Sequence, residues 1–263
     1  MLPHILTVYQ RSAHSKRFIA KKVHKESNEL EIFKLLNTFQ LKSEHMISLH
    51  DSFQTQSTSW AILPKMISLA RSQPYGKVAQ VYWGLINGVA YLHKYCTAHR
   101  NIKPDNLVVD GDFCLKMIDF DVALRIEGED EVVESQYGME GWMAPKMEEK
   151  SMYNPIKTGR WSTGQVLLFC LDKFREENPV PRTTAMKLTA HNPERLNASS
   201  CRIALGRGGR RCREEGFAIS TRQSGPRRRK HEAPKDEEAE TFSARQEGGR
   251  RWHYFLNNRY LGV

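Results

Sequence analysis

Between His99 and Asp121 the chain reads HRNIKPDNLVVDGDFCLKMIDFD, and the reading of this stretch decides the fold. Basic residues, two amides and several carboxylates surround two short hydrophobic runs. Those runs meet at Asp110-Gly111, a dipeptide suited to a tight hairpin turn. The outline is that of a phosphate-transfer site. At its third position, however, stands Asn101, where a proton-accepting carboxylate is expected.

Upstream, residues 78–95 place Val78, Val81, Leu85, Val89 and Leu92 at helical spacing. Residues 5–10 and 16–23 predict two strands around the polar turn RSAHS, and 26–37 a helix with one apolar face. HMISLHDSF and SWAILPKM predict two further strands. Downstream, residues 161–174 (WSTGQVLLFCLDKF) predict a buried helix, and 183–191 add another. Past residue 200 the chain is rich in Gly, Arg and Glu without hydrophobic periodicity, so it reads as disordered. The terminal WHYFLNNRYLGV is aromatic enough to dock, with nothing in the sequence to say where.

The 263 residues are 40% apolar, enough for a core, and carry a formal charge of +10. Residues 1–200 hold 25 Lys and Arg against 22 Asp and Glu, and residues 201–263 hold 15 against 8, so +7 of that charge lies in the tail. The five cysteines show no CxxC pairing, which argues against a zinc site or disulfide framework and for a reducing compartment. The N-terminal residues do not form a secretory signal, and VLLFCL at 166–171 is too short to span a bilayer. A soluble protein of the cytoplasm or nucleus is the expectation.

Several further motifs follow in order: Ile19-Ala20-Lys21-Lys22, then Glu29 opening ELEIFKLL, then the opening stretch. After it come Tyr137–Lys146 (YGMEGWMAPK) and Gly159–Gly164 (GRWSTG). Together they resemble the eukaryotic protein kinase superfamily, Ser/Thr type, and especially fungal kinase-like sequences with the pattern HRDIKPDNLV, IDFD and GTEGWMAPE. The resemblance covers residues 5–197. It implies an α+β bilobal kinase-like fold, with a truncated β-rich N-lobe over 1–66, a mainly helical C-lobe over 67–197, and a disordered basic tail over 198–263. ATP and Mg²⁺ would lie between the lobes. By the same resemblance Lys22 contacts the nucleotide phosphates and Glu29 is its ion-pair partner. His99 is a structural histidine, Arg100 meets the activation segment, and Lys103 is the lysine of Ser/Thr-type enzymes. Asn106 and Asp119 hold the metal.

Five departures from the family pattern bear on activity. Asn101 replaces the catalytic aspartate, and its amide orients a hydroxyl but cannot take its proton. The loss of general-base assistance is worth about 10²–10⁴-fold. No glycine stands at the positions of the family's Gly-rich loop, which fall near Met1, Pro3 and Leu6, so by the resemblance that loop has either degenerated or belongs to a lost segment upstream of Met1. Met139 stands where a threonine bonds the catalytic aspartate. Lys146 replaces the glutamate of APE, while Leu196 falls at the position of that glutamate's arginine partner. Gly159 replaces the aspartate that tethers the catalytic loop. Asp121, in place of the glycine of DFG, weighs less. The nucleotide-side residues Lys22, Glu29, Asn106 and Asp119 are kept.

The acidic run Glu127, Glu129, Asp130, Glu131 and Glu134 either replaces a phosphate as partner of Arg100 or is a solvated loop. Pro226–Lys230 (PRRRK) is a nuclear signal, an RNA-contacting patch or a soluble tail, and without interleaved aromatics the last is favoured. Three functional readings stand: a weakened Ser/Thr kinase, an inactive pseudokinase acting as a scaffold, and a decayed gene product. The partners implied are ATP and a protein substrate or scaffold partner, with no membrane.

Overall fold

A computed structural model describes residues 4–10, 13–24, 27–36, 43–55, 58–73, 77–135, 137–149, 152–174, 179–189, 241–245 and 251–255. The first part is a curled antiparallel sheet with one helix. Strands β1 (Ile5–Gln10), β2 (Ala13–Val23), β3 (Asp51–Gln54) and β4 (Ser59–Pro64) are ordered β1-β2-β4-β3, and α1 is Glu29–Leu36. Strand alternation sorts their residues between two faces. Register places Ile19, Lys21, Val23, Ala61 and Leu63 on one face, and Val8, Phe18, Ala20, Trp60 and Ile62 on the other. The first face joins Ile32, Phe33 and Leu36 of α1 in the main core. The second forms an apolar cluster of its own.

The helical part follows short β5 (Ile67–Ser68). It comprises α2 (Val78–Lys94), β6 (Thr97–Ala98), the hairpin β7 (Leu107–Val109) and β8 (Leu115–Met117), β9 (Leu124–Arg125), α3 (Pro145–Glu148), α4 (Pro155–Phe174) and α5 (Pro179–Leu188). The expected apolar stripe of α2 is buried throughout, and Tyr82 on it donates to the Leu167 carbonyl of α4 at 2.8 Å. The β7–β8 connection is longer than a two-residue turn. Asp110 Oδ1 accepts from the Asp112 and Cys114 amides, at 3.0 and 2.9 Å, and Phe113 rather than Gly111 takes the positive φ. The two parts are stitched at β8, where the Met117 amide donates to the His45 carbonyl at 2.9 Å and the Ile47 amide to the Met117 carbonyl at 3.1 Å.

Most of the tail expected to be disordered lies outside the described residues, as does the Asn192–Asn197 segment. Two strands within it, β10 (Thr241–Arg245) and β11 (Arg251–Phe255), form an antiparallel hairpin. Cys96 and Cys170 are free thiols, whereas Cys114 is disulfide-bonded, although the cysteine spacing argued against a disulfide framework. Among the described residues no helix is long and apolar enough to cross a membrane.

Candidate active site

The lysine that pairs with Glu29 is Lys21, not the expected Lys22. Lys21 Nζ lies 2.6 Å from Glu29 Oε1 and 2.5 Å from Asp119 Oδ1. Lys22 pairs across the sheet with Trp60 on the opposite face, so it cannot reach either carboxylate. The motif's spacing places its lysine one residue too late, and a one-residue slip in a strand reverses every side chain.

Glu29 is fully buried and its Oε1 does double duty, also accepting from the Phe120 amide at 3.0 Å. Burial pushes its carboxyl above the ordinary range, and the Lys21 ammonium only partly offsets this. For Lys21, burial pulls downward but Glu29 and Asp119 outweigh it, leaving the ammonium raised. The raised Lys21 value favours its ammonium, whereas the raised Glu29 value works against its carboxylate, so burial and pairing oppose one another in this cluster. Phe120 is buried edge-on against Phe33 of α1, with ring centroids 5.3 Å apart, and its other neighbour is the His99 ring at 5.1 Å. A continuous apolar stack thus joins α1 to the catalytic-type loop.

His99 fixes that loop through both ring nitrogens. Nε2–H donates to the Ile118 carbonyl at 2.9 Å, and Nδ1 accepts from the Asn101 amide at 3.4 Å. This assignment requires a neutral ring, which burial enforces by lowering its pKa. Asn106 braces the same loop. Its Nδ2 donates to the Asn101 carbonyl at 2.9 Å, and its own carbonyl accepts from the Ile118 amide at 3.1 Å. With the amide nitrogen committed, Oδ1 of Asn106 is the atom left to ligate a cation. Asp119 likewise has Oδ1 on Lys21 and Oδ2 to offer. One amide oxygen and one carboxylate oxygen, completed by phosphate oxygens and water, fit the octahedral oxygen shell of Mg²⁺.

Asp119 and Arg100 adopt positive φ, 67° and 64°. Such backbone costs of order 1–3 kcal/mol and persists where the surroundings fix it. Asp119 is held by Lys21. Arg100, 8% exposed, donates Nη1 to Ser135 Oγ at 3.3 Å and lies 4.3 Å over the Tyr137 ring. Its contacts therefore run to Ser135 and Tyr137, and not to the acidic run. Of that run, Glu129 approaches Arg160 at 3.9 Å.

At the departures, Asn101 Oδ1 is buried without a hydrogen-bond partner, and Met139 Sδ accepts from Lys103 Nζ at 3.6 Å. Gly159 faces a histidine that the motif template did not flag. A Cβ there would lie 3.1 Å from His93 Nε2. His93 is buried, burial and Arg160 push its pKa down to about 3, and its Nδ1 has no partner. The sequence did carry a cue: His93 ends the stripe of α2, where a buried polar residue stands out. Lys146 lies exposed on α3, while its counterpart Leu196, and Met1 and Pro3 at two of the expected glycine positions, fall outside the described residues.

A sheet with one helix thus packs on a helical body, and a lysine–glutamate–aspartate cluster ties β2, α1 and the loop after β8 together. Residues 7–202 match the protein kinase domain family, three quarters of the sequence, and the chain belongs to that family. Similar proteins include CBL-interacting protein kinase 4 of rice, 29% identical over half of this chain and 32% of that protein. Serine/threonine-protein kinase oca2 of fission yeast is 38% identical over 35% of this chain and 14% of its own length. Mouse serine/threonine-protein kinase PAK 1 is 25% identical over 65% of this chain and 34% of its own. The chain spans about a third or less of the length of these relatives.

Proposed function

We propose that this chain is a Ser/Thr-type kinase domain that binds Mg·ATP and has weak or lost phosphoryl transfer. The carrying observation is an asymmetry: the Lys21–Glu29–Asp119 cluster is assembled, while Asn101 occupies the base position with its buried Oδ1 unpaired. In this reading Lys21 positions the phosphates, Asn106 and Asp119 hold the metal, and Asn101 orients an acceptor hydroxyl whose proton leaves to solvent. Mg²⁺ supplies charge neutralisation at the phosphates when bound. The fungal likeness of the motifs accompanies this reading.

A scaffold role is the second reading, favoured by Val132, Met139 and Met152, large apolar side chains exposed on the segment that follows the site. One paired measurement separates the two. The chain and its Asn101→Asp variant are compared for melting shift with Mg·ATP and for radiolabel transfer to a generic basic protein. A shift in both, with transfer rising about 10²-fold or more in the variant, supports the weakened kinase. A shift with no transfer from either protein supports the scaffold. Absence of any shift sinks nucleotide binding.

A further inference from the structure

The face of the sheet turned away from α1 is dry. Val8, Phe18, Ala20, Trp60 and Ile62 are each 7% exposed or less, although an antiparallel sheet with one partner helix commonly leaves its far face to water. His50 stacks on Phe18 with centroids 4.4 Å apart and covers one corner. The rest of the cover has a candidate in the chain itself. Strand β11 runs beside β1, and β10 beside β3. Since β1 and β3 are the two edges of the sheet, a hairpin near both spans the sheet's width, and the face toward α1 is already occupied.

The hairpin's sequence suits that position. Its register pairs Phe242 with Tyr254 and Ala244 with Trp252, so these four residues share one face. A lone two-stranded hairpin is marginal in water and needs a surface to bury against. The complementary surface is the apolar cluster on the sheet.

We propose that the strand pair Thr241–Arg245 and Arg251–Phe255 is a built-in cap that closes the outer face of the sheet, making this part of the tail a structural piece of the first lobe. Phe18 and Ala20 face the cap while Ile19 and Lys21, their neighbours on β2, face the site. The cap therefore steadies the strand that carries Lys21. This inference rests on the fold alone and stands whether or not the site binds nucleotide.

The test uses the full chain with a site-specific protease sequence placed between residues 205 and 235. After cutting, the C-terminal fragment should co-elute with the body at the mass of one chain. Trp252→Ser with Tyr254→Ser, or Ala20→Glu on the sheet, should release it. Departure of the wild-type fragment from a body whose melting temperature is unchanged overturns the proposal. Co-elution at twice the mass also overturns it, assigning the hairpin to a second copy. Hydrogen exchange on the uncut wild type needs no variant: protected amides in 241–245 and 251–255 support the cap, and exchange at the rate of an unfolded peptide refutes it.

Discussion

At the scale of single residues, Lys21 and Lys22 are chemically identical neighbours with opposite fates. In Ile19-Ala20-Lys21-Lys22 the motif's spacing favours Lys22, one residue beyond the lysine that pairs with Glu29. The strand pleat decides otherwise, because only one of the two can face α1 and Asp119. Their removal should differ accordingly. Lys21→Ala strands Glu29, fully buried, without its cation, a loss in the class of about 3–5 kcal/mol. The low end applies, since a carboxyl already raised by burial takes up a proton instead of staying charged. Lys22→Ala removes a side chain from the opposite face, and its effect should stay within about 0.5 kcal/mol. Urea unfolding of the two variants at pH 7 checks the contrast. Equal effects would mean that Lys21 does not hold Glu29.

Among the elements, both long helices were legible, but the beginning of α4 was not. The stripe of α2 gave its position within a residue. Helix α4 begins at Pro155, six residues before the expected start at Trp161, because the apolar run begins late while the start signal is polar. Asn154 Oδ1 caps the Lys157 amide at 2.9 Å, and Pro155 takes a first-turn position that needs no amide donor. The hairpin of the opening stretch was legible, yet its turn was misjudged, since side-chain caps from Asp110 replaced the glycine geometry. The ends of elements depend on such local bonds, which leave little periodic trace. Helix α4 also holds a close contact that propensity alone would get wrong. A Cβ on Gly164 would meet the Ala185 carbonyl at 2.8 Å and Leu188 Cβ at 2.9 Å. Helix propensity favours Gly→Ala by about 1 kcal/mol. Forcing a methyl into a tight seam costs about 1–3 kcal/mol. Gly164→Ala should therefore be net destabilising, visible as a lower melting temperature. A rise would show that α4 and α5 pack more loosely than this contact requires.

For the whole molecule, acid is the condition that should expose its weak points. Two histidines lie in the seams that hold it together. His45 sits where the loop before β3 meets β8, and burial, aided by Lys116 against the Leu115 carbonyl, pushes it down to about 4. His93 lies under Gly159, where α2 meets α4, and burial and Arg160 take it to about 3. In the unfolded chain each takes a proton near pH 6.5. Both pKa values are depressed in the fold, so the unfolded state binds more protons between about pH 6.5 and 4. Their contribution is therefore complete above 6.5 and is lost as pH falls through that window. Each histidine contributes a slope of up to about 1.4 kcal/mol per pH unit, and the pair about twice that near pH 5. Denaturant midpoints at pH 7, 6 and 5 should show this fall, and His93→Gln should remove about half of the slope whatever its effect at pH 7. Gly159→Asp offers the sharper check, because it changes only what His93 faces. A carboxylate beside the ring favours the imidazolium, so the His93 titration should move upward and the acid slope should shrink, even if the crowded Cβ lowers stability at neutral pH. An unchanged His93 titration in that variant would mean that residue 159 does not govern the histidine. The loss of the tethering carboxylate, read from the sequence as damage to catalysis, would then have no part in the acid stability of the fold.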